Sequence, residues 1–144
     1  MKRILLLLLA IAVVGLLAWG ILHHLQAKAK EKREAAYEAS LQSYAQALKP
    51  GMTRKQVEDY FQARNITYLQ ECCVLVEESS TRHSWDDLVK VGEEEKPWYC
   101  SEHYVYIAFR FADYGEPEAK WQFKDNDLDT LKSVTIYHQL GGCL

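Results

Sequence analysis

The chain has 144 residues, of which 49% are hydrophobic and 26% charged, with only three prolines. That composition excludes a disordered or low-complexity polymer and leaves room for one modest core once the first fifty residues are set aside. The net charge of −3 hides an asymmetry, because residues 1–50 carry seven Lys/Arg against three Asp/Glu while residues 51–144 carry ten against seventeen; so acidic a second part argues against nucleic-acid binding, which needs Lys and Arg to displace phosphate counterions.

From Ile4 to Leu22 the chain carries no charge. About 19 helical residues at ~1.5 Å each reach ~28 Å, close to the ~30 Å of bilayer hydrocarbon. Trp19 falls near the far end, where an indole suits the interface. The expectation is an uncleaved single-pass anchor over residues 1–24, with the lipid bilayer as its partner. The rival is a cleaved secretory signal. Ala18-Trp19-Gly20 weakly fits its small-x-small site, but Ile21 and Leu22 carry the apolar run past it. No Cys stands near the end of the segment, which excludes a lipid-modified cysteine there. Lys2 and Arg3 favour a cytoplasmic N-terminus, although Lys28, Lys30, Lys32 and Arg33 nearly balance them. The short N-terminus and the cysteines place the remaining domain outside the cytoplasm, on the periplasmic side of the envelope.

Residues 25–49 form the next element. Residues 25–48 are rich in Ala, Lys, Glu and Gln, all strong helix formers. Tyr37, Leu41, Tyr44 and Leu48 make one narrow apolar stripe at helical spacing. A juxtamembrane helix is expected, with a solvated stretch over 25–35. Pro50-Gly51 ends it, and residues 50–144 are the domain proper. Thr53 and Gln56 form a capping box for a second helix, with Val57, Tyr60 and Phe61 on its apolar face and Asn65 as its stop.

Strand follows over Ile66–Gln70 and Cys72–Glu77. Residues 79–100 read as irregular, with Ser84 capping a short turn of helix through Leu88 and Glu93–Glu95 in an exposed loop. His103–Phe111 is the clearest strand. Val105, Ile107, Phe109 and Phe111 face one way, Tyr104, Tyr106, Ala108 and Arg110 the other, and two apolar faces mean a central strand. Ala119–Lys124 and Leu131–His138 complete a meander whose short turns imply antiparallel pairing. The fold class is α+β: the membrane and juxtamembrane helices, then a helix packed on a roughly four-stranded antiparallel sheet.

The stretch Lys49-Pro50-Gly51-Met52-Thr53-Arg54-Lys55-Gln56-Val57, followed by such a sheet, resembles the SmpA/OmlA (BamE-like) lipoproteins and the β-lactamase-inhibitor-like fold. The likeness implies a small extracytoplasmic module that binds other proteins. The motif itself is a helix start, a turn, a cap and a core Val. The chain departs from that family in having an apolar anchor where the family has a lipidated Cys, and in its four cysteines.

Outside the cytoplasm, Cys72, Cys73, Cys100 and Cys143 suggest two disulfides. Adjacent strand residues point to opposite faces, so Cys72 and Cys73 are expected to take Cys100 and Cys143 between them. The alternative is a thiol or metal module using these cysteines with His83, His103 or His138. Neither the Cys-x₂₋₄-Cys pair of zinc sites nor the Cys-x-x-Cys of redox sites is present. Asp125-Asn126-Asp127-Leu128-Asp129 opens like a calcium loop but has Thr130 where Gly is required and lacks the late Glu; an acidic solvated turn is the simpler account. Asn65-Ile66-Thr67 matches a glycosylation acceptor, relevant only to a eukaryotic secretory route. Trp98-Tyr99, beside Glu93–Glu95, is the best candidate for an exposed contact. With no catalytic constellation, cofactor motif or evident small-molecule substrate, the expectation is a non-enzymatic, membrane-anchored domain with an envelope protein as partner. A cytoplasm-facing domain, its basic residues 28–33 touching anionic lipid, is the other arrangement.

Overall fold

A computed structural model describes residues 2–72, 85–112 and 127–144, with side chains from Ala12 onward except that of Cys72. The elements in chain order are α1 (Lys2–Ala47), α2 (Arg54–Ala63), β1 (Leu69–Cys72), β2 (Trp85–Glu93), β3 (Glu102–Ala112) and β4 (Thr130–Gly141). The chain divides into two compact units, Met1–Ala36 and Tyr37–Leu144.

The first unit is the body of α1. The anchor and juxtamembrane helices expected from the sequence are one continuous helix of 46 residues. The Ala/Lys/Glu/Gln run after Leu22 offers no reason to break it. Among the described residues no helix is long and apolar enough to cross a membrane. The expected span Ile4–Leu22 falls partly outside them, because only its portion from Ala12 onward has described side chains.

In the second unit, α2 starts and stops on the signals in its sequence. The Thr53 hydroxyl accepts from the Gln56 amide at 3.3 Å, and Gln56 Oε1 accepts from the Thr53 amide at 2.9 Å, satisfying two donors that a helix start would otherwise strand. At the other end Asn65 takes a left-handed φ of 54°. Its amide donates to Gln62 O at 3.1 Å, and that of Ile66 to Phe61 O at 2.9 Å, which is the paired closure of a Schellman motif.

The four strands lie in the order β1-β2-β3-β4, every neighbouring pair antiparallel. Leu48, the α2 residues Val57 and Phe61, and Val89, Ile107, Phe109, Phe111 and Leu131 form the main core, with Leu41 and Tyr44 of α1 packed against it. The apolar stripe of α1 and the apolar face of α2 therefore cover one face of the sheet, as expected. The other face carries a smaller cluster of Leu88, Tyr106 and Ala108, flanked by Tyr104 and Tyr137. Tyr37 closes the α1 side of the sheet. A Cβ on Gly92 would stand 2.5 Å from its ring, so glycine is what lets the phenol lie on β2.

One expectation is corrected. Trp85–Glu93 is strand, where a capped turn of helix and irregular chain were expected. Asp86-Asp87 after Ser84 reads as an acidic first helical turn. Instead both aspartates are buried in the sheet, and Asp87 has a cationic partner far off in sequence. The expected strand Ala119–Lys124 and most of Cys72–Glu77 lie outside the described residues.

That partner is Arg54, in the first turn of α2 and itself fully buried. One guanidinium nitrogen donates to Asp87 Oδ1 at 2.6 Å and another to Trp85 O at 2.7 Å. Nε lies 3.6 Å from Asp129 Oδ2, and the planar group stacks 3.9 Å above the Phe111 ring. Asp87 Oδ1 also accepts from Gln70 of β1 at 3.2 Å. A charge so enclosed is tolerable only because it is paired and hydrogen-bonded.

Replacing Asp87 with Ala removes the nearest counter-charge of buried Arg54 and lowers stability by about 3 kcal/mol, read from denaturant midpoints. Asp59→Ala breaks only the exposed Lys55–Asp59 pair and leaves the midpoint nearly unchanged.

Burial also pushes the hydroxyls of Tyr44, Tyr106 and Tyr137 above their ordinary value of 10.0. The folded chain then holds these protons more tightly than the unfolded one. Stability is whole below pH 10 and falls as the pH climbs through the raised values. Denaturant midpoints in buffers straddling pH 10 should drop on the alkaline side, and tyrosinate absorbance should show the three titrating late.

Candidate functional site at the β2–β3 end of the sheet

Residues 94–101 join β2 to β3 and are braced on several sides. Cys100 is disulfide-bonded to Cys143, just beyond β4. The Ser101 amide donates to Gly141 O at 3.0 Å, the Leu144 amide to Tyr99 O at 2.9 Å, and the Cys100 amide to Pro97 O at 3.0 Å. Lys96 Nζ donates to Ser101 O at 2.7 Å. Gly142, at φ 58°, turns the chain after β4 past Ser101, where a Cβ would collide.

The pairing Cys100–Cys143 corrects the expectation that Cys72 and Cys73 would take these two between them. Strand register explains it. Glu102 stands opposite Gly141, so the residues just before β3 and just after β4 are neighbours. Cys72 stands opposite Trp85 on β1, at the far edge of the sheet. The Cys72 side chain and Cys73 lie outside the described residues. As a disulfide, Cys100 and Cys143 have no thiolate to offer a metal or a redox partner.

At the tip of the loop Trp98 is 91% exposed and Tyr99 42%, their rings edge to face with centroids 5.8 Å apart. Two large aromatics are thus held in water by a covalently tied turn.

At its base, side chains from β3, from β4 and from the residue that follows β2 converge. His103 begins β3, His138 lies in β4 opposite Val105, and the Glu94 amide donates to His103 O at 3.0 Å just after β2. Val105 is also opposite Gly92, so alternation puts Glu94, His103 and His138 on one face. Glu94 Oε2 is 3.9 Å from His103 Nε2 and 3.9 Å from His138 Nδ1. The imidazole centroids are 5.6 Å apart. His103 Nδ1 is 3.1 Å from Glu95 O; with a carbonyl as partner that nitrogen carries the proton, and Nε2 keeps its lone pair for Glu94's side of the site. A shallow groove of about 530 Å³ opens beside them, lined by Glu94, Glu95, Glu102 and His103.

The sequence singled out the histidines and Glu93–Glu95 separately, but not their meeting. Strand register was the needed signal, and no local pattern in the sequence states it. His83 lies outside the described residues. Of the acidic turn, Asp129 is buried and faces Arg54, and its carbonyl accepts from the Arg54 amide at 2.7 Å. Asp129 is therefore a buried structural carboxylate, where a solvated acidic turn was expected. No family model matches the chain, and neither a curated protein nor a solved structure does.

The disulfide spans 43 residues, for which chain entropy gives about 4 kcal/mol. Replacing Cys100 and Cys143 with Ser should lower the melting temperature accordingly and open the 94–101 loop to limited proteolysis. Alkylation without reduction should leave both cysteines unmodified in the wild type.

Proposed function

We propose that this chain is a non-enzymatic, membrane-tethered domain on the periplasmic side of the envelope that binds another envelope protein through the Trp98–Tyr99 loop. The observation that carries the reading is Trp98 itself, 91% exposed on a loop fixed by the Cys100–Cys143 bridge. A free indole in water is an unrecovered hydrophobic area. Held in one place beforehand, it binds with little further loss of entropy, and Trp and Tyr are the residues that most often dominate protein interfaces. Exposed Glu93, Glu95 and Glu102 flank the loop, so the matching surface is an apolar pocket rimmed by Lys or Arg.

Tethering rests on the uncharged run Ile4–Leu22, and the compartment on the disulfide, which persists in oxidising surroundings. The likeness of Lys49–Val57 to SmpA/OmlA modules fits this role as one of fold and partner class, not of any particular assembly. A photo-reactive residue placed at Trp98 in native membranes should give discrete protein adducts, whereas the same residue at exposed Gln62 of α2 should not. Tyr99→Ala should weaken the adducts severalfold, and removal of residues 4–22 should release the domain from the membrane fraction. Equal labelling from both positions would sink the contact reading, and retention without residues 4–22 would sink the tether.

A further inference from the structure

The geometry points to a divalent metal site at the base of the same loop: Glu94, His103 and His138 hold one zinc ion through Glu94 Oε2, His103 Nε2 and His138 Nδ1. The three donor atoms lie within 4.8 Å of one another; two come from the neighbouring strands β3 and β4 and the third from Glu94, the residue that follows β2. Two imidazoles and a carboxylate are a zinc donor set, and such sets leave a fourth position for water or an incoming group. Ligand bonds of about 2.0–2.2 Å in a tetrahedron put donor atoms about 3.4 Å apart. The two 3.9 Å separations exceed that by an amount that small rotations of the Glu94 and His138 side chains remove.

Three further features agree. The Glu95 carbonyl accepts a hydrogen bond from His103 Nδ1, the kind of contact that orients a zinc-bound histidine and makes its other nitrogen a better donor. In the adjoining groove Glu93, Glu95 and Glu102 outnumber the single cation Lys96, which leaves a net negative potential where a metal cation would arrive. Glu94 and His103 are largely sheltered while His138 is 47% exposed, so the ion has an open side toward solvent. With Glu94 at the start of the β2–β3 connection, His103 just past its end and His138 on β4, the ion would lock the base of the loop that presents Trp98.

The test uses the full chain in detergent, stripped with a chelator and alkylated without reduction so that no thiol competes. Titrated with zinc ion alone, it should bind one equivalent, and cobalt in its place should give the visible spectrum of a tetrahedral nitrogen–oxygen site without thiolate charge transfer. His138→Ala, at the most exposed ligand, should weaken zinc binding at least about 100-fold, beyond what loss of an outer-shell partner costs. Its metal-free melting temperature should match that of the wild type, which shows that the fold is kept. Zinc should raise the melting temperature of the wild type and not of that variant. Absence of stoichiometric binding, undiminished affinity in His138→Ala, or binding that disappears on alkylation would each overturn the site.

Discussion

The buried ion pair of Arg54 and Asp87 sets the geometry of the domain. A guanidinium with no exposed surface must find acceptors in the protein itself, and its acceptors come from two separate places in the chain. Asp87 and the Trp85 carbonyl belong to β2, and Asp129 precedes β4. The first turn of α2 is thereby fixed across the sheet. The backbone follows the same path: Gly51 N donates to Leu131 O, Leu131 N to Met52 O and Arg54 N to Asp129 O, so the segment leading into α2 runs against the start of β4. A hydrophobic contact in this place would tolerate sliding by a residue, whereas a forked donor 2.6–2.7 Å from two specific acceptors does not.

This pair also explains where the sequence was readable and where it was not. Local signals worked: Thr53 and Gln56 announced the start of α2, Asn65 its end, and the alternation in His103–Phe111 an interior strand with two apolar faces. The stripe Tyr37, Leu41, Tyr44, Leu48 foretold which side of α1 meets the sheet. The failures involve partners distant in the chain. β2 was hidden because two of its residues, Asp86 and Asp87, look like surface acids until Arg54 is known to face one of them. The Cys100–Cys143 bond and the meeting of Glu94 with two histidines were hidden for the same reason, since both follow from the β3–β4 register.

The two faces of the sheet and its two ends have different duties. One face is closed by α1 and α2. The end near Arg54 is held by an internal ion pair and a helix start. At the opposite end, where β2 turns into β3, none of the main core residues is found among the described residues. That end is held by a disulfide, a set of backbone bonds and a side chain of α1, Tyr37, lying on Gly92. Cross-links that demand little volume leave the loop free to display aromatic rings and titratable donors, which a conventional core would have buried.

The Cys100–Cys143 bond has a consequence for the order in which the molecule is made. Cys100 leaves the ribosome 43 residues ahead of its partner, so the β2–β3 segment is synthesised before the bond that ties its loop can exist. The sulfurs come within reach only after β4 has laid down along β3 in the right register, since a slip of one residue would turn the chain after Gly141 to the other face. Closure of this bond therefore marks a finished sheet, because the two sulfurs are neighbours only where β4 lies along β3 in its native register.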